Sequence, residues 1–142
     1  MNISAKTEYA CIAVLELAAR YGSGKPVRIR DIADANGIPS RFLVQILLQL
    51  KSAGIVGSTR GASGGYQLVK PPDEITLGEV MAVSDGQSTE PVSSLERETS
   101  PSRALMETWQ NVAAVQSDML ESVTFAELVE RASGRAENMY YI

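Results

Sequence analysis

The 142-residue sequence has no histidine and a single cysteine, Cys11. One thiol excludes an intramolecular disulfide, so nothing points to an oxidising compartment. The same shortage removes almost every ligand set for zinc or an iron–sulfur cluster within one chain. Without imidazole, neither a Ser-His-Asp nor a Cys-His catalytic arrangement can be built. No motif supplies a nucleophile–base pair, so an enzyme is not expected. Long hydrophobic runs are missing too. The apolar stretch 10–15 is broken by Glu16 and no cleavage-site pattern follows it. Neither a signal peptide nor a membrane span is expected, and a cytoplasmic location is.

What is present fits a globular chain, with 44% hydrophobic and 21% charged residues. The length suits one ordinary domain, or a small domain with an appendage. Net charge is −4, but the two halves differ. Residues 1–72 hold nine Lys/Arg against four Asp/Glu; residues 73–142 hold four against thirteen. The front half can meet phosphates, and the back half would be repelled by them.

Ser4 is placed to cap a helix over 5–21, whose middle is apolar on nearly all sides and so buried on most of them. A short helix over 29–36 stops at Gly37. A third follows over 39–53, with Phe42, Leu43, Ile46, Leu47 and Leu50 as its apolar face. Two short strands, 55–60 and 66–69, flank Arg60-Gly61-Ala62-Ser63-Gly64-Gly65-Tyr66. Thr76 and Glu79 have the spacing of a capping box for a helix over 77–84. Residues 85–99 read as a mobile loop. Ser100 and Pro101 then read as cap and first turn of a long helix. Along it Leu105, Trp109, Val112, Val115 and Met119 form a seam that another helix should cover. Thr124 and Glu127 repeat the capping spacing for a last helix to about 132, leaving 133–142 as a tail.

Two helices at a tight turn followed by a glycine-tipped hairpin predict a winged helix-turn-helix: mainly α, with a small β-hairpin wing, and a long helix after it. The expected division is 1–84 for DNA binding, 85–99 as loop, 100–132 as the long helix and a following short helix, and 133–142 as C-terminal tail. Ser40, Arg41, Val44, Gln45, Gln49 and Lys51 lie off the apolar face of the third helix. Ser40, Arg41 and Gln45 fall in the part of a recognition helix that reaches base edges, where Arg favours guanine and Gln adenine. In the wing, Gly61 and its neighbours allow positive φ and close backbone approach, with Ser63 at the tip. Arg60 beside the tip suits a narrow minor groove. A solvated helix face and a plain surface hairpin are the competing readings. A protein-interaction adaptor working through the acidic half and tail is the competing function. Cys11 sits in the most apolar part of the first helix, where a thiol is a core residue of low reactivity.

Several stretches together resemble the bacterial winged-helix transcriptional regulator family that contains IscR, NsrR and CymR. They are the opening residues 1–10, Phe42-Leu43-Val44-Gln45-Ile46-Leu47, the wing Arg60-Gly61 with Gly64-Gly65-Tyr66, and Ile75-Thr76 with Gly78-Glu79-Val80. The resemblance implies that the long helix is a dimerisation helix, so that 100–132 joins a homodimer, each wing domain on one half of a pseudo-palindromic operator in double-stranded DNA. Cluster-bearing members place three cysteines in the region corresponding to about 92–103, and this chain has none there. An iron–sulfur or redox-responsive regulator is therefore disfavoured, and no cofactor is expected. The chain is similar instead to the cluster-free CymR type, which represses cysteine-metabolism genes. Its ending resembles that branch's tail, and the implied partner is cysteine synthase, with Tyr141, Ile142 and the terminal carboxylate docking in an apolar slot. Packing of the tail on its own dimer is the alternative.

Overall fold

Ser4 Oγ accepts the Thr7 backbone N–H at 3.1 Å and so starts helix α1, Ala5–Ala19. The computed structural model describes residues 1–85 and 90–141, of which 135–141 are described as helix backbone only. α1 stops two residues before its expected end. The Arg20 and Tyr21 N–H groups reach back only to the Leu17 and Ala18 carbonyls, tightening the last turn. α1 touches four other helices and the wing, so its buried Ala10, Ala13, Val14 and Leu17 centre the core.

α2 (Ile29–Asn36) closes at Gly37 with φ +66, a left-handed cap that only glycine adopts freely. The next N–H, Ile38, bonds back to the Ala33 carbonyl at 3.0 Å, and Ile38 is buried at the corner. That fixes the exit toward α3 (Ser40–Ser52), which buries Leu43, Ile46, Leu47 and Leu50. Phe42 corrects the expected apolar face: it is exposed. A four-residue inward stripe is already complete without it, and its ring instead lies against Tyr9, centroids 6.0 Å apart.

Strands β1 (Val56–Thr59) and β2 (Gly65–Leu68) pair antiparallel, from Val56 opposite Leu68 to Thr59 opposite Gly65. Val27 adds a bridge on the other side of β2, exchanging two 2.8 Å hydrogen bonds with Tyr66. A 3-10 turn, Pro72–Glu74, follows, which the Pro71-Pro72 pair marked only as a strand stop. Thr76 Oγ1 does cap α4 (Leu77–Asp85), accepting from the Glu79 N–H. The Glu79 carboxylate does not complete the box. It takes Lys70 Nζ at 2.7 Å, since an ion pair outweighs a neutral amide donor.

The start of α5 (Ser100–Ser122) is also corrected: the cap is Thr99, not Ser100. Thr99 and Ser102 satisfy each other's backbone N–H groups reciprocally, with Pro101 in the first turn. Of the expected loop, 86–89 lie outside the described residues, and 90–99 carry no regular element. α6 (Phe125–Tyr141) runs well past 132, so 133–141 is helix and not an irregular tail. Gly134 alone did not stop it: the surrounding Ala, Glu and Arg are good helix formers, and glycine costs only about 1 kcal/mol. Ile142 lies outside the described residues. Phe125 at the head of α6 is fully buried in the same core as α1 and α3. Among the described residues, no helix is long and apolar enough to cross a membrane.

Candidate nucleic-acid interface

With its inward stripe locked in the core, α3 presents two outward rows at four-residue spacing. One is Ser40, Val44 and Leu48; the other is Arg41, Gln45 and Gln49; all six are exposed. Pro39, in extended conformation, precedes the helix, and no side-chain hydrogen bond caps it. The Arg41 guanidinium carbon lies 4.9 Å from the Phe42 ring centroid, a cation–π contact. Behind it Phe42 meets Tyr9, so a ring from α1 backs the start of α3.

The wing tip is a tight turn in which the Gly64 N–H bonds the Gly61 carbonyl at 3.0 Å. Gly61 has φ +103. A Cβ on Gly64 would overlap the Thr59 carbonyl oxygen, so glycine is sterically required there. Arg60, Gly61 and Ser63 are all exposed at this tip. Lys51, near the end of α3, donates to Ser58 Oγ on β1 at 2.7 Å and ties the helix to the wing. The six candidates thus occupy two neighbouring elements joined by a side-chain bond.

Among the described residues, most cations of the front half make no ion pair; Arg20 and Lys70 are the exceptions, paired with Glu16 and Glu79. Among the described residues, Lys6, Lys25, Arg28, Arg30, Arg41, Lys51 and Arg60 have no carboxylate within ion-pair distance. In the acidic half, Arg103 and Arg131 are neutralised by Glu98 and Glu127. Hydrogen bonding to Glu98, and then its charge, raise the Arg103 pKa. Lys25, Arg28 and Arg30 around the start of α2 were not among the sequence candidates. Their signal was the surplus of basic residues before position 72, which does not say which of them stay unpaired.

The α5 seam is bare. Leu105, Trp109, Val112, Val115 and Met119 are each more than half exposed, and α5 has no buried residue. Cys11 is half-buried beside the core. Burial, and then the charge of Asp85, push its thiol up to about 11.

A family model described as "Rrf2: Iron-dependent Transcriptional regulator" matches residues 3–131. The HTH-type transcriptional regulator CymR of Bacillus subtilis is 36% identical over 143 residues, covering all of both chains. IscR of Aliivibrio salmonicida is 34% identical over 131 residues, 91% of this chain and 77% of that one. The solved structure of CymR, the global cysteine regulator of B. subtilis, superposes with a TM-score of 0.82 at 35% identity, covering 92% and 98%. The iron in the family's description does not fit this chain's residues. It has one thiol and no imidazole, and no three His, Cys, Asp or Glu side chains cluster among the described residues.

Proposed function

The chain belongs to the Rrf2 family of DNA-binding transcriptional regulators, and from that premise we propose a homodimeric repressor that grips a pseudo-palindromic operator. The observation that carries this reading is that Arg41, Lys51 and Arg60 on α3 and the wing meet no carboxylate among the described residues, in a chain whose α5 seam is exposed. Ser40, Arg41 and Gln45 face base edges in the major groove, while Arg60 enters the flanking minor groove. Gly61 and Ser63 bring the wing backbone close to phosphates. Leu105, Trp109, Val112, Val115 and Met119 bury themselves against the same seam of a second copy. A two-fold dimer then sets two half-sites about one helical turn, or a multiple of it, apart. Selection of bound duplexes from a random DNA pool tests this. An enriched inverted repeat bound by two chains supports it. Failure to enrich any sequence refutes it in favour of the adaptor reading.

Control of cysteine and sulfur metabolism is the regulon we propose, because the similar B. subtilis protein is a global cysteine regulator. Cysteine synthase is the proposed partner, taken through Tyr141 and Ile142. Since α6 continues to Tyr141, docking as an extended peptide requires its last turn to unwind. Helix ends fray at small cost, so this is no obstacle. Deletion of the last four residues should abolish binding to the synthase in calorimetry; undiminished heat would sink the idea.

A further inference from the structure

The two outward rows of α3 are chemically unlike. Arg41, Gln45 and Gln49 are polar, but the row of Ser40 continues as Val44 and Leu48, which are 42% and 48% exposed. A lone exposed valine needs no explanation. These two lie one turn apart beside the row of Arg41, whose guanidinium meets no carboxylate among the described residues, so an apolar ridge runs along the side of α3 proposed to face DNA. The four inward residues already complete the helix's share of the core, and neither Val44 nor Leu48 belongs to that cluster.

The major groove has one apolar feature that a branched side chain can cover, the C5-methyl group of thymine. We infer that Val44 is a specificity residue that packs on a thymine methyl, in a base pair adjacent to the one met by Gln45. The inference rests on the assignment of α3 as the recognition helix. Val44 lies in the second turn, within the stretch that reaches base edges. Leu48 is roughly 6 Å further along the axis and leaves the bases for the sugar edge. Next to a valine, a cytosine at the same position offers a polar amino edge and no methyl. The ridge therefore discriminates where Ser40, tolerant of any base, does not.

The test uses the full chain and a duplex recovered from the random pool, with each thymine replaced in turn by deoxyuridine, which lacks only the methyl. Affinity is read by fluorescence anisotropy. One thymine per half-site should show a loss of roughly three- to fivefold on replacement, the scale of one buried methyl group. In Val44→Ala that sensitivity should disappear, while Leu48→Ala keeps it. Both sites are exposed, and unchanged far-UV circular dichroism will confirm folding. Two results overturn the inference: no uridine position matters to the unaltered chain, or Val44→Ala is as sensitive as the parent. The second result, a Val44→Ala loss that is equal on thymine and uridine duplexes, assigns the ridge to another contact. A pool that yields no sequence removes the operator reading itself, and this inference with it.

Discussion

Thr7 Oγ1 donates to Asp85 Oδ1 at 2.6 Å, joining the first turn of α1 to the last residue of α4 across 78 positions of chain. The same hydroxyl meets Ser84 Oγ at 3.0 Å and accepts from Ser4 Oγ at 3.0 Å. Thr7 and Ser84 are buried at the centre of this knot, while Ser4 and Asp85 at its rim are exposed. Thr7→Val keeps the shape and deletes the bonds. It should destabilise the fold by about 1–3 kcal/mol in urea unfolding, because a hydrogen bond to a carboxylate is lost. A neutral substitution would show that the knot adds no net stability.

Cys11 gives a prediction with a definite sign. Its pKa rises from an ordinary 9.0 to about 11, through burial first and the Asp85 charge second. Between those values the unfolded chain has lost the proton and the folded chain retains it. The thiol's contribution to stability is therefore whole below pH 9.0 and is lost as pH rises toward about 11. Unfolding free energy should fall less steeply over that window in Cys11→Ala than in the parent. Native labelling by a thiol reagent at neutral pH should be about a hundredfold slower than for an ordinary thiol. Fast labelling would contradict this.

Arg60→Ala should weaken operator binding by about 1–3 kcal/mol and lower the salt slope by about one counterion. Arg60→Lys should recover only part, since a compact ammonium is more costly to dehydrate in a narrow groove than a guanidinium. Titrations at two salt concentrations check both. An unchanged affinity in Arg60→Ala removes the wing from the mechanism.

Trp109 is the only tryptophan, and it lies in the seam. Its emission should shift blue as chain concentration rises through the dimerisation range. Trp109→Asp should shift sedimentation equilibrium to monomer, costing the interface about 2–4 kcal/mol as a central aromatic anchor does. A dimer that survives this change would require a different interface.

Local signals in the sequence were reliable where the physics is local. Ser4 as cap, Gly37 as stop, the α3 stripe and the glycine turn all depend on neighbours within about four residues. Phe42 departs from the expected stripe because periodicity marks a stripe but not its edge; Tyr9 on another helix decides where that ring goes. Glu79 followed its spacing only by half, since Lys70 was nearer in space than the pattern could tell. The Thr7 knot left no signal, because a threonine and an aspartate 78 residues apart look unrelated. Ser40, Arg41, Val44, Gln45 and Gln49 are legible as outward. That Leu48 joins Ser40 and Val44 in an exposed row required coordinates.

Phe125 gives the back half of the chain a different meaning. It is buried in the core shared by α1 and α3, and the strand-like bonds Leu77 N–H to Val123 O and Phe125 N–H to Ile75 O clasp the α5–α6 corner to the start of α4. α5 is therefore a lever arm keyed into the reading head. At 23 residues it is about 34 Å long, so a tilt of about 5° displaces its far end by about 3 Å, close to the rise of one base pair. In the proposed dimer held along α5, a small rotation between subunits would be geared into a whole-step error in half-site spacing, with no contact to Arg60 or α3 needed.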